Sequence, residues 1–228
     1  MEDNFVDPEI FDAHPDYAVA VITISGIRGG PSNEHSEKLL LHAEGVTRAL
    51  LIESPIDELN EVKSWRAAYE SFGVKPRVAR ASFEALMRRI DKGLPRIDLL
   101  TDIYNAISII HRVPIGGENF DAYVGAPRLV VAKGGEPFDT RENGEDTIHF
   151  VESGEVVWRD DLGVTCRRWN WRQCLRTRIN FDSQNIIFIV ESLDSESVSR
   201  ANAAASHLKS EIQQIWPSAV IKLHLEHK

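Results

Sequence analysis

The 228-residue sequence is 43% hydrophobic and 27% charged, with a formal net charge of −9. This excludes a disordered chain and leaves enough apolar residues for one sizeable core. It also excludes a protein that coats nucleic acid through a long-range positive field, so any RNA contact has to be local. No apolar run reaches membrane-spanning length, and the lead Met1-Glu2-Asp3-Asn4 is acidic where a secretory signal would be basic. A cytosolic protein without a membrane partner is expected. Cys166 and Cys174 are too few for a disulfide framework and read as packed thiols. The eight histidines have no metal-ligand spacing, so no metal is expected.

Residues 17–27 are rich in β-branched side chains and read as a strand ending near Gly29-Gly30. A helix should start after Ser32 or Asn33, with Leu39, Leu40, Ala43, Val46, Ala49 and Leu50 on its apolar face. A second helix is predicted over residues 56–72. A third is capped by Ser82, carries Phe83, Leu86, Met87 and Ile90 inward, and stops at Gly93. Residues 97–110 place a broad apolar stripe on a helix that must be largely buried, with Pro114 beyond its end.

The period then changes from helical to alternating. Short strands are predicted over residues 127–133, 147–151, 155–158 and 162–165, with Ser153-Gly154 as a tight connection between the second and third. Residues 185–190 form a nearly continuous apolar run that suits a strand buried on both faces. An amphipathic helix through Ala201, Ala205, Leu208, Ile212 and Ile215 and a last strand over residues 220–225 complete the chain. With no repeat or linker, residues 1–228 read as one domain. Its mainly helical front section is 1–111, and its sheet-rich section, 112–228, carries the candidate chemistry.

Three patches exceed what packing alone demands. In Val113-Pro-Ile-Gly-Gly-Glu-Asn-Phe-Asp121 the paired glycines let backbone amides approach a ligand, and a surface turn is the competing reading. The run from Val157 to Arg172 holds Asp160 and Asp161, a glycine, and arginines alternating with tryptophans. In an extended chain Trp169 and Trp171 would share one side. Arginines there can grip phosphate while indoles stack on a base or ribose; indoles filling a core beside solvated arginines is the alternative. In Ile189-Val-Glu-Ser192 a carboxylate follows an apolar strand, and capping of the last helix competes with a site role for Glu191.

Together these patches resemble the editing domain of the phenylalanyl-tRNA synthetase beta chain, and more closely its free-standing relatives. The resemblance rests on Pro114, Phe120-Asp121, Leu129 to Ala132, Gly135-Glu136, Gly154 to Trp158, Gly163 and Ile186 to Glu191. Trp65-Arg66-Ala-Ala-Tyr69, Asp102-Ile-Tyr-Asn105 and Arg167-Arg-Trp-Asn-Trp-Arg172 add to it. It implies an α+β fold with a β-sandwich-like sheet core, a helical N-terminal section packed on it, and a cleft for the aminoacylated 3′ end of tRNA. It further implies hydrolysis of the aminoacyl ester without metal or organic cofactor, in a chain expected to be a monomer.

Read onto this sequence, the resemblance makes Glu191 the group that positions the water or the substrate amine. Backbone amides at Gly116, Gly117 and Gly163 would stabilise the developing oxyanion. Asn105, Asn119, Asp121, Thr165 and Trp169 become substrate contacts; Arg167, Arg168, Trp171, Arg172 and Arg176 would hold the tRNA. Glu118 stands where the synthetase domain has a histidine, and with Asp160 and Asp161 it would suit a cationic aminoacyl side chain, although the aspartates can equally pair with neighbouring arginines. The implied substrate is canavanyl-tRNA(Arg), whose near-identity to the arginyl form calls for a second sieve. Deacylation of tyrosyl or other mischarged tRNA, a non-catalytic tRNA or amino-acid binding module, and an RNA-independent hydrolase or sensor are the alternatives.

Overall fold

The computed structural model describes residues 4–228; Met1, Glu2 and Asp3 of the acidic lead lie outside the described residues. In chain order the front part forms α1 (Pro8–Ala13), β1 (Tyr17–Ser25), α2 (Glu34–Glu53), α3 (Asn60–Ser71), α4 (Ser82–Met87) and α5 (Leu99–His111). Then follow β2 (Ile115–Asn119), β3 (Arg128–Val131), β4 (Pro137–Glu142), β5 (Glu145–Phe150), β6 (Val156–Arg159), β7 (Val164–Arg167) and β8 (Arg172–Gln173). The chain closes with β9 (Asn185–Leu193), α6 (Ser197–Ile215) and β10 (Val220–His227). The fold is α+β, with all strand pairs of its sheets antiparallel.

One sheet has the order β10-β1-β9-β2 and the second β3-β6-β7-β8, while β4 and β5 form a separate hairpin. Period-2 alternation divides the first sheet cleanly. Ala20, Ile22 and Ile24 of β1 and Ile186, Phe188 and Val190 of β9 face the apolar stripes of α5 and α6. Val19, Val21, Ile187, Ile189 and Leu193 face the other way, into a core shared with α3, Leu129, Trp158 and Trp169. The continuous apolar run at residues 186–190 is thus explained: β9 is central and covered on both faces.

Several local expectations are corrected. On α2, Val46 and Ala49 are exposed, and the buried stripe runs through Ser36, Leu40, Ala43, Glu44 and Thr47. Glu44 turns inward because the Leu94 amide and the Arg96 guanidinium donate to it, at 2.9 and 2.6 Å. Ser82 opens α4 but does not cap it; Ala81 is at the cap position, without a side-chain hydrogen bond. The polar strand β4 was not anticipated. It is joined to β5 by Asn143-Gly144, both at positive φ (52° and 88°), the backbone that a two-residue hairpin turn requires. Ser153-Gly154 links strands of different sheets instead of a hairpin, since β6 pairs with β3.

Candidate active site

A cavity of about 140 Å³ lies between the two sheets, walled by helices α4 and α5. Its floor is the edge of the first sheet. Gly116 pairs with Ile189 and Glu118 with Ile187, so Gly116, Glu118, Ile189 and Glu191 all present the same face. Glu118 and Glu191 occupy opposite ends of this floor, ~13 Å apart along the strands at four residue steps. Trp158, Cys166, Trp169, Asn170, Trp171, Arg172 and Gln173 cover it from the second sheet, while Ser82, Tyr104 and Asn105 reach in from the helices. The glycine-rich and arginine-tryptophan segments therefore share one cleft, as expected.

Glu191 is 2% exposed. Its Oε1 accepts from the Tyr17 hydroxyl at 2.7 Å and the Trp158 indole at 3.0 Å, and its Oε2 from Asn170 Nδ2 at 3.1 Å. The Trp169 N–H lies near the same carboxylate without completing a hydrogen bond. Burial drives the Glu191 carboxyl up to about 7, against the pull of these donors, which favour the anion. A capping role is ruled out, because α6 begins at Ser197, six residues beyond Glu191, and its cap position, Glu196, makes no side-chain cap bond. The Tyr69 hydroxyl donates to Asn170 Oδ1 at 3.0 Å and so turns the Asn170 amide nitrogen toward Glu191.

The segment that delivers Asn170 is a strained reversal. Arg168 and Trp169 both adopt positive φ (47° and 66°), a backbone rare for side chains of this size. The expected sharing of one side by Trp169 and Trp171 assumed an extended chain, and the reversal removes it. Trp169 is buried against His14, Tyr17, Trp65 and Phe72, whereas Trp171 stays half-exposed at the cavity mouth. Trp65 and Tyr69 of α3 thus support the site from behind, and Arg66 between them ties α3 to the buried Glu84 of α4.

Glu118 is 1% exposed. Both of its protein donors, the Tyr123 hydroxyl at 2.9 Å and the Thr177 hydroxyl, go to Oε2. Its Oε1 has no donor among the described residues. Burial again pushes the carboxyl up to about 7. Asn105, 8% exposed, lines the cavity with no side-chain hydrogen bond among the described residues, and the Ser82 hydroxyl is buried without a partner. Cys166 also lines it, but burial holds its thiol well above the usual range, which disfavours a thiolate nucleophile.

The two glycines differ. The Glu191 amide donates to the Pro114 carbonyl, which fixes the ladder alternation and gives the Gly116 N–H to β9. The N–H groups of Ile115 and Gly117 face outward from the edge, where the Gly117 carbonyl accepts from Gln173 at 3.2 Å. Gly116 is therefore no amide donor to the cavity; it keeps the floor clear, since a Cβ there would meet Gln173 Nε2 at 2.9 Å.

Other expected residues lie apart. The Gly163 amide is taken by Asp160 Oδ1 at 3.0 Å, in a tight turn against Pro137. Asp160 is spent on Arg176, with two contacts of 2.9 Å, and on the amides of Val124 and Leu162. Asp161 lines a different recess with Arg128 and Arg159. Asn119 caps the short turn that follows it, Asp121 pairs with Asn185, and Thr165 lies behind Tyr123. Arg167 is bound bidentately to Glu155, while Arg168 stacks over Trp171 at 4.4 Å. Arg172 and Arg178 have no acidic partner among the described residues and flank a second recess that shares Trp171, Arg172 and Gln173 with the cavity. Tyr17, Ser82, Tyr104, Trp158, Asn170 and Gln173 were given no site role in the sequence reading, although Tyr104, Trp158 and Asn170 lay within strings already singled out.

No group of three or more histidine, cysteine or acidic side chains among the described residues could hold a metal ion, and no helix there is long and apolar enough to cross a membrane. The fold and cavity define an α+β domain with a cavity between two sheets that holds two buried carboxyls. The chain belongs to the B3/4 domain family, whose model matches residues 64–216, and is thereby related to the tRNA-binding and editing domains of the phenylalanyl-tRNA synthetase beta subunit. No curated protein matches it significantly. Among solved structures it is similar to an N-terminal fragment of the phenylalanyl-tRNA synthetase beta-subunit from Pyrococcus horikoshii. That likeness has 13% identity and a TM-score of 0.46, over 95% of this chain and 49% of the fragment, so the chain spans about half the fragment's length.

Proposed function

We propose that the cavity hydrolyses the ester joining a wrongly attached amino acid to the terminal ribose of a tRNA. The observation that carries this reading is the pair of buried carboxyls, Glu118 and Glu191, at the two ends of a glycine-cleared floor, both near their neutral-to-anion transition at physiological pH. A carboxyl so poised can take a proton from water, and an anionic one can hold an ammonium. The volume, about 140 Å³, is close to that of a cavity that admits a benzene ring, roughly 150 Å³. It takes an amino-acid side chain and leaves the nucleotide outside.

At the mouth, Trp171 offers an aromatic face and Arg172 and Arg178 offer charge to a ribose, base or phosphate. This local basic rim reconciles RNA binding with the net charge of −9. The acceptor-rich interior favours a cationic aminoacyl group, and canavanyl-tRNA(Arg) is the substrate we put first. Asn105 and Ser82 are the free polar groups to meet the far end of its side chain.

The test is a deacylation panel of radiolabelled arginyl-, canavanyl-, phenylalanyl- and tyrosyl-tRNA. Faster release of canavanine than of arginine is expected. Absence of release from every species at stoichiometric protein would leave a binding module instead of an enzyme.

A further inference from the structure

We infer that Glu118, and not Glu191, is the general base, with Glu191 serving to position the substrate. This rests on the hydrolase reading above and assigns the roles within it. The two carboxylates are held differently. Glu191 receives three hydrogen bonds spread over both oxygens, an arrangement that immobilises it and leaves little free acceptor capacity. Glu118 receives two, both on Oε2, from Tyr123 and Thr177. One oxygen is anchored and the other is open to a water in the cavity.

Three further features fit this assignment. Glu118 faces the cavity from the edge strand, on the side where Gly116 removes all side-chain bulk between it and Ile189. The Gln173 amide, which donates to the Gly117 carbonyl at 3.2 Å, lines the cavity beside this edge, so its second N–H is a donor for a developing oxyanion. The titratable or charged groups around it are Tyr104, Tyr123, Cys166, Cys174, Asp160, Arg176 and, across an antiparallel bridge, Arg178. The tyrosines and cysteines are pushed up by burial, and Asp160 is held down by Arg176, so none of these five titrates near neutrality; Glu191 at the far end of the floor does, and a change confined to the Glu118 donors separates the two.

In the step, Glu118 takes one proton from a water whose oxygen bonds to the ester carbonyl carbon. The tetrahedral oxyanion then re-forms the carbonyl and breaks the bond to the ribose oxygen, which receives the proton back from Glu118. The amino acid leaves as its acid, which loses its proton to solvent, and the tRNA regains its terminal hydroxyl.

Single-turnover deacylation against pH, with Glu118→Gln, Glu191→Gln and Thr177→Val, tests this. The parent rate should rise with pH to a plateau, with a midpoint near 7. Glu118→Gln should lower the maximal rate by roughly 10²–10⁴-fold with little change in half-saturation; Glu191→Gln should mainly raise half-saturation. Thr177→Val removes a donor that favours the Glu118 anion and should move the midpoint upward, a shift that a merely structural Glu118 would not transmit. A Glu118→Gln protein that keeps its rate and instead loses preference for cationic over aromatic aminoacyl groups would make Glu118 a side-chain reader and overturn the inference. An unmoved midpoint in Thr177→Val would overturn it as well. A parent inert toward every aminoacyl-tRNA would remove the hydrolase reading itself.

Discussion

Glu118→Gln and Glu191→Gln probe the two buried carboxyls without any substrate. Each carboxyl is raised from an ordinary 4.5 to about 7, chiefly by burial. Between these values the folded state keeps a proton that the unfolded state has released. Their stabilising contribution is therefore complete below about pH 4.5 and is lost as pH climbs through 7. At about 1.4 kcal/mol per pH unit, the loss between pH 5 and pH 8 is roughly 2 to 3 kcal/mol for each group, a large part of the ~5–15 kcal/mol that stabilises a typical domain.

Glutamine mimics the neutral acid and does not ionise, so each variant should cancel one such step. In Glu191→Gln the new side-chain amide would also be set against the Asn170 amide, but this offsets stability equally at both pH values. His14 and His111 are depressed by burial and stabilise with the opposite sign, as pH rises through the ordinary histidine value, in parent and variants alike. Urea unfolding followed by tryptophan fluorescence at pH 5 and pH 8 measures the difference. If parent and both variants lose the same stability between the two pH values, the carboxyls are not raised and the poised-acid argument fails.

Adjacent glycines should respond oppositely to alanine. Gly117→Ala drives a Cβ to 2.7 Å from the Phe188 ring and 2.9 Å from Ile179, which should cost about 1–3 kcal/mol in urea unfolding. Gly116→Ala meets only the mobile end of Gln173 and should leave the unfolding midpoint in place while deacylation falls. Asp160→Ala strands Arg176 and three backbone amides, so a loss of about 3–5 kcal/mol in the same assay is expected; a shift in aminoacyl preference without loss of stability would return Asp160 to the substrate. Arg172→Ala with Arg178→Ala should flatten the salt dependence of tRNA affinity by about 1 to 2 in log–log slope, and an unchanged slope would locate the RNA elsewhere.

The helices from α2 onward, the buried strand β9 and the meeting of the glycine and arginine-tryptophan segments were legible from periodicity and motif order, whereas the six-residue α1 in the acidic lead was not anticipated. What escaped was decided by pairing. Whether an arginine in the 167–178 run is free depends on carboxylates elsewhere. Glu155 claims Arg167 and Asp160 claims Arg176, while Arg172 and Arg178 are left over, and no local pattern separates these cases. The Gly-Gly segment looked like a loop because glycine disfavours strands, yet it pairs along β9. Its glycines are required by space on two opposite faces, one toward the cavity and one toward Phe188. Strand β4 was missed because its sequence, Pro-Phe-Asp-Thr-Arg-Glu, is mostly polar, as befits a two-stranded hairpin open to solvent.

The hydrogen bond from Tyr17 to Glu191 joins positions 174 residues apart, and the remaining walls are drawn from stretches scattered between them. A chain still emerging from synthesis, or one opened at any of these stretches, has no pocket at all. The cavity therefore exists only once the chain has folded as far as β9, and not in any shorter stretch of it.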